Sequence, residues 1–240
     1  MQRLFLDISP ESHPLQLPPD MYHHLINVCK LSIGDTFEAV YNQTLYQRMI
    51  TRIDGPLIYT SNQGQSTLKN NRPYGISLIQ CLPKQDKLVT IGRMCTEAGI
   101  TELFPVINEF SNVKILRDTK QKRVQTAIEN AAKQSKQAHV PTVHAAQLLK
   151  DYATTHPFKD TALRLMADET CQAPLPDTLK QPIQHIYLAI GPEGGFSSTD
   201  RQILHTAGFM SFSLGKHILR TEHAGFAAIN YIDGFVAGQF

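Results

Sequence analysis

The run Gly191-Pro192-Glu193-Gly194-Gly195 is the first place in this sequence where residue type and spacing could do chemistry, and the apolar stretch His185 to Ile190 leads straight into it. Glycine tolerates positive φ and lets backbone amides meet a ligand with no Cβ in the way. A second corner follows another apolar segment, at Leu214-Gly215-Lys216-His217-Ile218-Leu219-Arg220-Thr221-Glu222. Each reads as a strand, a tight turn and the start of a helix. Two such turns after parallel strands would lie side by side at the edge of an open sheet where α/β proteins bind ligands. Ordinary strand-to-helix turns remain the alternative for either corner alone. The pair favours a site.

Other patterns fail on spacing. Gly208 to Gly215-Lys216-His217 has glycines too far apart for a phosphate loop and no Ser or Thr after Lys216. His23-His24 are neighbours in sequence, not an i, i+4 ligand face, and the ten histidines form no metal pattern. Cys29, Cys81, Cys95 and Cys171 include no C-x-x-C pair, so no metal is expected and the thiols read as reduced.

A composition 42% hydrophobic and 18% charged over 240 residues suits a soluble globular protein with a real core, in one or two domains. Net charge is only +2, so a nucleic-acid partner would have to meet a local basic patch. Lys114, Arg117, Lys120, Lys122 and Arg123 form such a patch. A charge run is usually a solvated face. Cations at a helix start oppose its dipole, however, and a phosphate partner would make sense of them. No signal peptide is expected from Met1 to Asp7, which holds one basic residue and an early acid before Pro10. No apolar run approaches the roughly 18 residues that span a bilayer. The reading is a cytoplasmic protein with no membrane partner.

The elements that must position the two corners fall into two textures. Residues 1–71 read as β-rich, with a strand at Arg3-Leu4-Phe5-Leu6 and a short helix from Pro18-Pro19-Asp20 through Val28. A hairpin joins Thr36–Tyr41 to Leu45–Ile50 across Asn42-Gln43, and Leu57-Ile58-Tyr59 adds a strand; a small barrel fits these pieces. The polar run from Ser61 to Arg72 reads as a linker, with the boundary at Asn70-Asn71-Arg72-Pro73. From 72 to 240, strands at 74–81, 102–106, 163–166, 185–190 and 210–214 alternate with helices. The helices cover 84–98, a stretch from Asp118 with Val124, Ile128, Ala131 and Ser135 on one face, and 222–236. Ser197 and Ser198 before Asp200 read as helix caps. The alternation predicts a parallel sheet with helices on both faces.

Ile190-Gly191-Pro192-Glu193-Gly194-Gly195-Phe196-Ser197, taken with Leu214-Gly215 and Ile218-Leu219-Arg220-Thr221-Glu222, resembles the SPOUT superfamily of RNA methyltransferases. Within it, the match is to the branch that methylates uridine N3 of 16S ribosomal RNA. The first domain is similar to that branch at Arg3-Leu4-Phe5, His24-Leu25 and Val28-Cys29-Lys30 to Gly34-Asp35. The resemblance implies an α/β protein with two domains. A small N-terminal PUA-like β-barrel, 1–71, would bind RNA, and a SPOUT α/β domain with a C-terminal trefoil knot, 72–240, would bind S-adenosylmethionine and catalyse. It implies 16S ribosomal RNA or the small ribosomal subunit as partner, and a homodimer to which a closing helix with Phe226, Ile229, Ile232 and Phe235 could contribute. Two rivals stay open: a SPOUT methyltransferase acting on a different RNA or base atom, and a non-catalytic RNA-binding relative.

On that resemblance the cofactor site comprises Ile190, Gly191, Pro192, Glu193, Gly194 and Gly195, then Leu214, Gly215, Ile218, Leu219 and Thr221, with Leu165 and Met166 at the end of a third strand. Core packing is the alternative for the aliphatic members. Glu193 could accept from the cofactor's amino group or cap the next turn. Arg220, always charged and forked, is the catalytic candidate, stabilising the anion formed when uracil N3 loses its proton. A structural ion pair with Glu193 or Glu222 is its alternative, and no general base is assigned. RNA contact is expected from Arg3, Lys30 and Arg48 of the barrel, from Lys114, Arg117, Lys120 and Arg123, and from Gln134. The chain departs from the branch at Lys133-Gln134-Ser135-Lys136-Gln137, where Glu-Gln-Ser-Gly-Arg is common. Phe110 also stands where arginine is usual.

Overall fold

A two-residue turn at Asn42 and Gln43, with φ of 46° and 59°, folds Thr36–Tyr41 back on Thr44–Asp54. Positive φ at both positions gives the turn the twist a tight hairpin needs. In the computed structural model, which describes residues 2–12, 14–68 and 72–238, this hairpin is the middle of a five-stranded sheet. In chain order its strands are Arg3–Phe5 (β1), Leu15–Gln16 (β2), Thr36–Tyr41 (β3), Thr44–Asp54 (β4) and Leu57–Thr67 (β5), arranged β1-β3-β4-β5-β2. β1 runs parallel to β3, and every other pairing is antiparallel. Inward residues Phe37, Ala39, Ile50 and Ile58 build the core with Leu4, Leu15 and Leu25. Leu25 arrives on a helical stretch, Pro19–Tyr22 (α1) widening over His23–Val28, where Cys29 N donates to His24 O, five residues back, at 2.8 Å.

The polar run from Ser61, expected as linker, is instead the second half of β5 as far as Thr67, paired with β4 from Ser61 opposite Met49 to Thr67 opposite Thr44. Its side chains are largely exposed from Asn62 on, so backbone hydrogen bonds rather than burial hold it. Polarity alone therefore hid a strand. Met1 and the boundary residues Lys69, Asn70 and Asn71 lie outside the described residues.

The chain forms two compact units, Met1–Asn71 with Ala132–Val140, and Arg72–Ala131 with Pro141–Phe240. Residues 132–140, expected inside an unbroken second domain, thus group with the first. Arg3 gives the reason: Nε donates to Glu38 Oε2 at 2.7 Å, and Nη1 to the carbonyls of Lys136 and Gln137 at 2.6 and 2.9 Å. Lys136 Nζ adds a 2.9 Å bond to the same carboxylate. Burial pulls the Glu38 carboxyl up, but the Lys136 and Arg3 cations outweigh it and leave it below the usual range.

The second unit holds a seven-stranded, all-parallel sheet. Its strands are Gly75–Cys81 (β6), Glu102–Ile107 (β7), Thr142–Val143 (β8), Gln147–Leu148 (β9), Leu163–Ala167 (β10), His185–Ile190 (β11) and Met210–Phe212 (β12). They lie in the order β12-β10-β11-β6-β7-β8, with β9 also on β7. β11 is buried end to end, as its unbroken apolar run implies for a strand covered on both faces. Pro105 has no N–H to give, and it falls between β8, which pairs Glu102 and Leu103, and β9, which pairs Val106 and Ile107.

The helices are Lys87–Glu97 (α2), Asp118–Gln134 (α3), Leu149–Thr155 (α4), Ser198–Thr206 (α5) and Thr221–Val236 (α6). Alternate strand residues point to opposite faces. Ile79, Cys81, Phe104, Val106 and Ala189 pack with Leu149 and Tyr152 of α4 and Leu204 of α5. Leu78, one residue out of step, lies with Cys95 of α2 against Gly225 of α6. Of the four large apolar residues singled out on α6, Ile229 and Ile232 are wholly buried and belong to the core, while Phe226 and Phe235 stay partly exposed. Among the described residues no helix is long and apolar enough to cross a membrane. A Cβ at Gly225 would lie 3.1 Å from Cys95 Sγ. Gly225→Val should wedge α6 away from α2 and destabilise the fold by about 1–3 kcal/mol, seen as a lower urea midpoint. An unaltered midpoint would contradict this packing.

Candidate functional site

Because β12, β10 and β11 are adjacent and parallel, the loops leaving their carboxyl ends emerge together. Ala167-Asp168-Glu169, Gly191–Gly195 and Ser213–Arg220 surround a cavity of about 520 Å³, completed by Lys87 of α2 and by Thr221 and Ala224 of α6. Gly191 is pressed against the loop's other end, where a Cβ would lie 3.0 Å from Gly195 Cα. Gly215 takes φ +109°, with no heavy atom within 4 Å of where its Cβ would be, so its bare side is open space.

Two sets of contacts bind the corners to each other. The Thr221 hydroxyl donates to Gly191 O at 2.7 Å and accepts from Gln80 Nε2 at 3.1 Å, with Gln80 and Thr221 both buried. Lys87 Nζ reaches Glu193 Oε1 at 2.9 Å and Glu222 Oε2 at 3.1 Å, one carboxylate from each corner. Outer braces follow. Asn108 Nδ2 donates to Gly195 O at 3.2 Å and to Asp200 Oδ2 at 2.9 Å. Ser197 and Asp200 form the reciprocal cap that opens α5. Arg201 forks onto Asp168 at 2.7 and 2.9 Å, fixing the β10 loop to α5.

Charge follows the same geometry. Burial pulls the Glu193 carboxyl up, and the Lys87 ammonium with backbone amides outweighs it, so its pKa lies below the usual range. Glu222 behaves alike, lowered against burial by its own amide at the start of α6 and by Lys87. Lys87 is raised in turn, first by Glu193 and then by Glu222. Neither carboxylate pairs with Arg220, which is exposed at the cavity rim and forms no ion pair among the described residues.

Of the residues singled out in the sequence, the cavity brings together Ile190, Gly191, Pro192, Glu193, Gly194, Gly195, Leu214, Gly215, Ile218, Leu219, Arg220 and Thr221. Leu165 and Met166 do not reach it; both are fully buried within β10, and the cavity begins one residue later at Ala167. Arg3 and Arg48, expected on an exposed basic face, are buried instead, Arg3 on Glu38 and Arg48 on Thr60 Oγ1 at 3.1 Å. Lys30, Lys114, Arg117, Arg123 and Gln134 are exposed and Lys120 half-buried. Gln80 and Lys87 escaped notice. Gln80 had one signal, an amide in an otherwise apolar strand; Lys87 had none, since a lysine at a helix start looks like solvated surface.

An open parallel sheet with a glycine-walled cavity at its carboxyl edge defines an α/β protein of the kind that binds its ligand at that edge. Residues 70–233 match the RNA methyltransferase domain family, and the chain belongs to that family. It is 32% identical over 171 residues to a ribosomal RNA small subunit methyltransferase E of Synechocystis, an alignment covering 70% of this chain and 56% of that protein. It is 28% identical over 239 residues to the protein of the same name from Rickettsia conorii, covering 91% and 89%. Its structure is similar to that of a ribosomal RNA small subunit methyltransferase E from Neisseria gonorrhoeae bound to S-adenosyl methionine, with TM-score 0.85, 26% identity and 98% of each chain covered.

The Lys87 bridge has a definite pH signature. A depressed carboxylate stabilises the fold above its unfolded pKa of about 4.3 and loses that contribution as pH falls through its lower folded value. A raised ammonium stabilises below about 10.4 and loses its contribution as pH rises through its higher folded value. Lys87→Met should therefore destabilise most between about pH 5 and 10, with the gap to the unmodified protein closing below about pH 4. Denaturant midpoints measured across pH test this, and a gap constant with pH would mean that Lys87 acts by packing alone.

Proposed function

We propose that this protein transfers a methyl group from S-adenosylmethionine to N3 of a uridine in the 16S ribosomal RNA of the small ribosomal subunit. The observation that carries this reading is the single cavity in which the two glycine corners converge. Its volume, about 520 Å³, suits a cofactor. Backbone at Gly191–Gly195 can meet the edges of adenine, Ile190, Leu214 and Leu219 can cover its faces, and a Cβ at Gly215 would fill part of the space. When bound, S-adenosylmethionine supplies an electrophilic methyl group on a sulfonium.

Uracil N3 carries a proton at neutral pH and is a poor nucleophile until it is lost. Arg220 meets that need, because Lys87 already holds Glu193 and Glu222 and leaves the guanidinium uncommitted. Set beside the uracil carbonyls, it stabilises the anion by about 1.4 kcal/mol for each unit by which N3 acidity rises. Alignment of the reacting groups supplies the rest.

In this reading the first unit is a PUA-like barrel that grips RNA, and the second is a SPOUT domain ending in a trefoil knot. The order β12-β10-β11 supports the latter, since the chain passes from β10 to one neighbour and then returns to its other side. Ile218 and Leu219, 83% and 38% exposed beside the cavity, support a homodimer. Lys30, Lys114, Arg117, Lys120, Arg123 and Gln134 contact RNA, while Arg3 and Arg48 brace the first unit, and the protein works in the cytoplasm.

Arg220→Ala should fold, bind S-adenosylmethionine and lose roughly 100- to 1,000-fold in kcat, with the product located by mass mapping of ribosomal RNA. Undiminished turnover would remove Arg220 from the mechanism, and a methyl group on another atom would overturn the proposed product. RNA affinity should fall with salt on a log–log slope of about −0.7 for each phosphate contacted on a single strand. A flat response would contradict the role of the basic segment.

A further inference from the structure

A second cavity, of about 690 Å³, adjoins the first. Glu193 and Gly194 line both, so they form the wall between them. Phe110 lies against that wall, 43% exposed, with its Cβ 3.2 Å from where a Cβ on Gly194 would be. The ring is held in place: its neighbour Ser111 is buried and donates to Asn108 Oδ1 at 2.8 Å, and Asn108 in turn holds the Gly195 carbonyl.

Cations flank the ring. Lys84 is exposed, and its ammonium has no partner among the described residues. Lys114 Nζ donates to the carbonyls of Asn108 and Glu109 at 3.1 and 3.3 Å, which leaves one proton free. Of the acids, Glu109 is exposed to solvent and Glu193 shares the Lys87 ammonium with Glu222. Lys120 bonds the Gln85 carbonyl, and Arg123 pairs with Asp86 at 3.1 Å, so the basic start of α3 continues directly from Lys84.

We propose that this second cavity is a subsite for an unpaired RNA base flanking the acceptor uridine, stacked on Phe110, with adjoining phosphates on Lys84 and Lys114. The inference rests on the RNA methyltransferase reading. An aromatic face accepts any unstacked base, and cations beside it track the backbone. The stacked base is not the one methylated, since the Glu193–Gly194 wall stands between it and the cofactor cavity.

The chain has no tryptophan, so Phe110→Trp creates a single tryptophan, excited selectively at wavelengths where tyrosine does not absorb, that keeps an aromatic face. A short single-stranded oligoribonucleotide of mixed sequence should quench its emission. Phe110→Ala should weaken the same oligonucleotide about 5- to 150-fold, and Lys84→Ala should reduce the salt slope by about 0.7. Unquenched emission, or an Ala variant that binds as tightly as the unmodified protein, overturns the subsite. None of these readouts needs turnover. If Phe110 binds the oligonucleotide yet the unmodified protein transfers no methyl group to ribosomal RNA, the proposed function fails while the stacking site stands.

Discussion

The buried Thr221 hydroxyl is the contact on which the geometry of the site turns. It joins the end of β11 to the start of α6 through Gly191 O, and both to β6 through Gln80. An unmatched buried donor or acceptor costs about 1–3 kcal/mol, and a carbonyl, a hydroxyl and an amide meet here. Pulling the two glycine corners apart would break these bonds together. The cavity is therefore shaped before any ligand arrives, and binding need not order its walls.

Lys87 gives that frame its electrical character. Glu193 on the cavity wall and Glu222 close behind it are two carboxylates that together would attract a cation and repel an anion. A single ammonium within 2.9 and 3.1 Å of both offsets one of the two negative charges and draws the carboxylates together. The consequence reaches Arg220, one residue before α6. With its two candidate acidic partners taken, its guanidinium stays at the rim as an unneutralised positive charge. A backbone frame and a charge bridge thus do separate tasks on the same two loops.

The sheet was legible because buried parallel strands are written as apolar runs; His185 to Ile190 announces β11 without any neighbour. The glycine corners were legible because few other residues tolerate those turns. What stayed hidden has physical reasons. β8 and β9 are two residues each and α4 seven, too short for a periodic signal. The outer half of β5 is polar on both faces, so its pairing leaves no trace in hydropathy. Leu165 and Met166 were placed at the ligand by their position near a strand end, yet a strand buried on both faces gives its last apolar residues to the core and begins the site one residue later. Arg3 and Arg48 show the converse. Charge marks a side chain as costly to bury, but a hydrogen-bonded guanidinium inside a small sheet satisfies that demand without a nucleic acid.

Glu193 and Gly194 lie between two cavities of different character, and this division sets what each can hold. The first is walled largely by loop backbone and aliphatic side chains, with Lys216 and Arg220 among its lining; the second offers a ring between lysines. A ligand read by backbone needs an immobile wall, and the Thr221 and Lys87 contacts supply it. A ligand read by stacking needs a flat face that tolerates any base, and Phe110 supplies that. The two demands meet on a loop where a Cβ at Gly194 would lie 3.2 Å from Phe110 Cβ and touch the ring at 3.5 Å. Gly194, inside the turn closed by Gly195 N donating to Pro192 O at 3.0 Å, thus also keeps the two cavities close, with the Glu193–Gly194 segment between them.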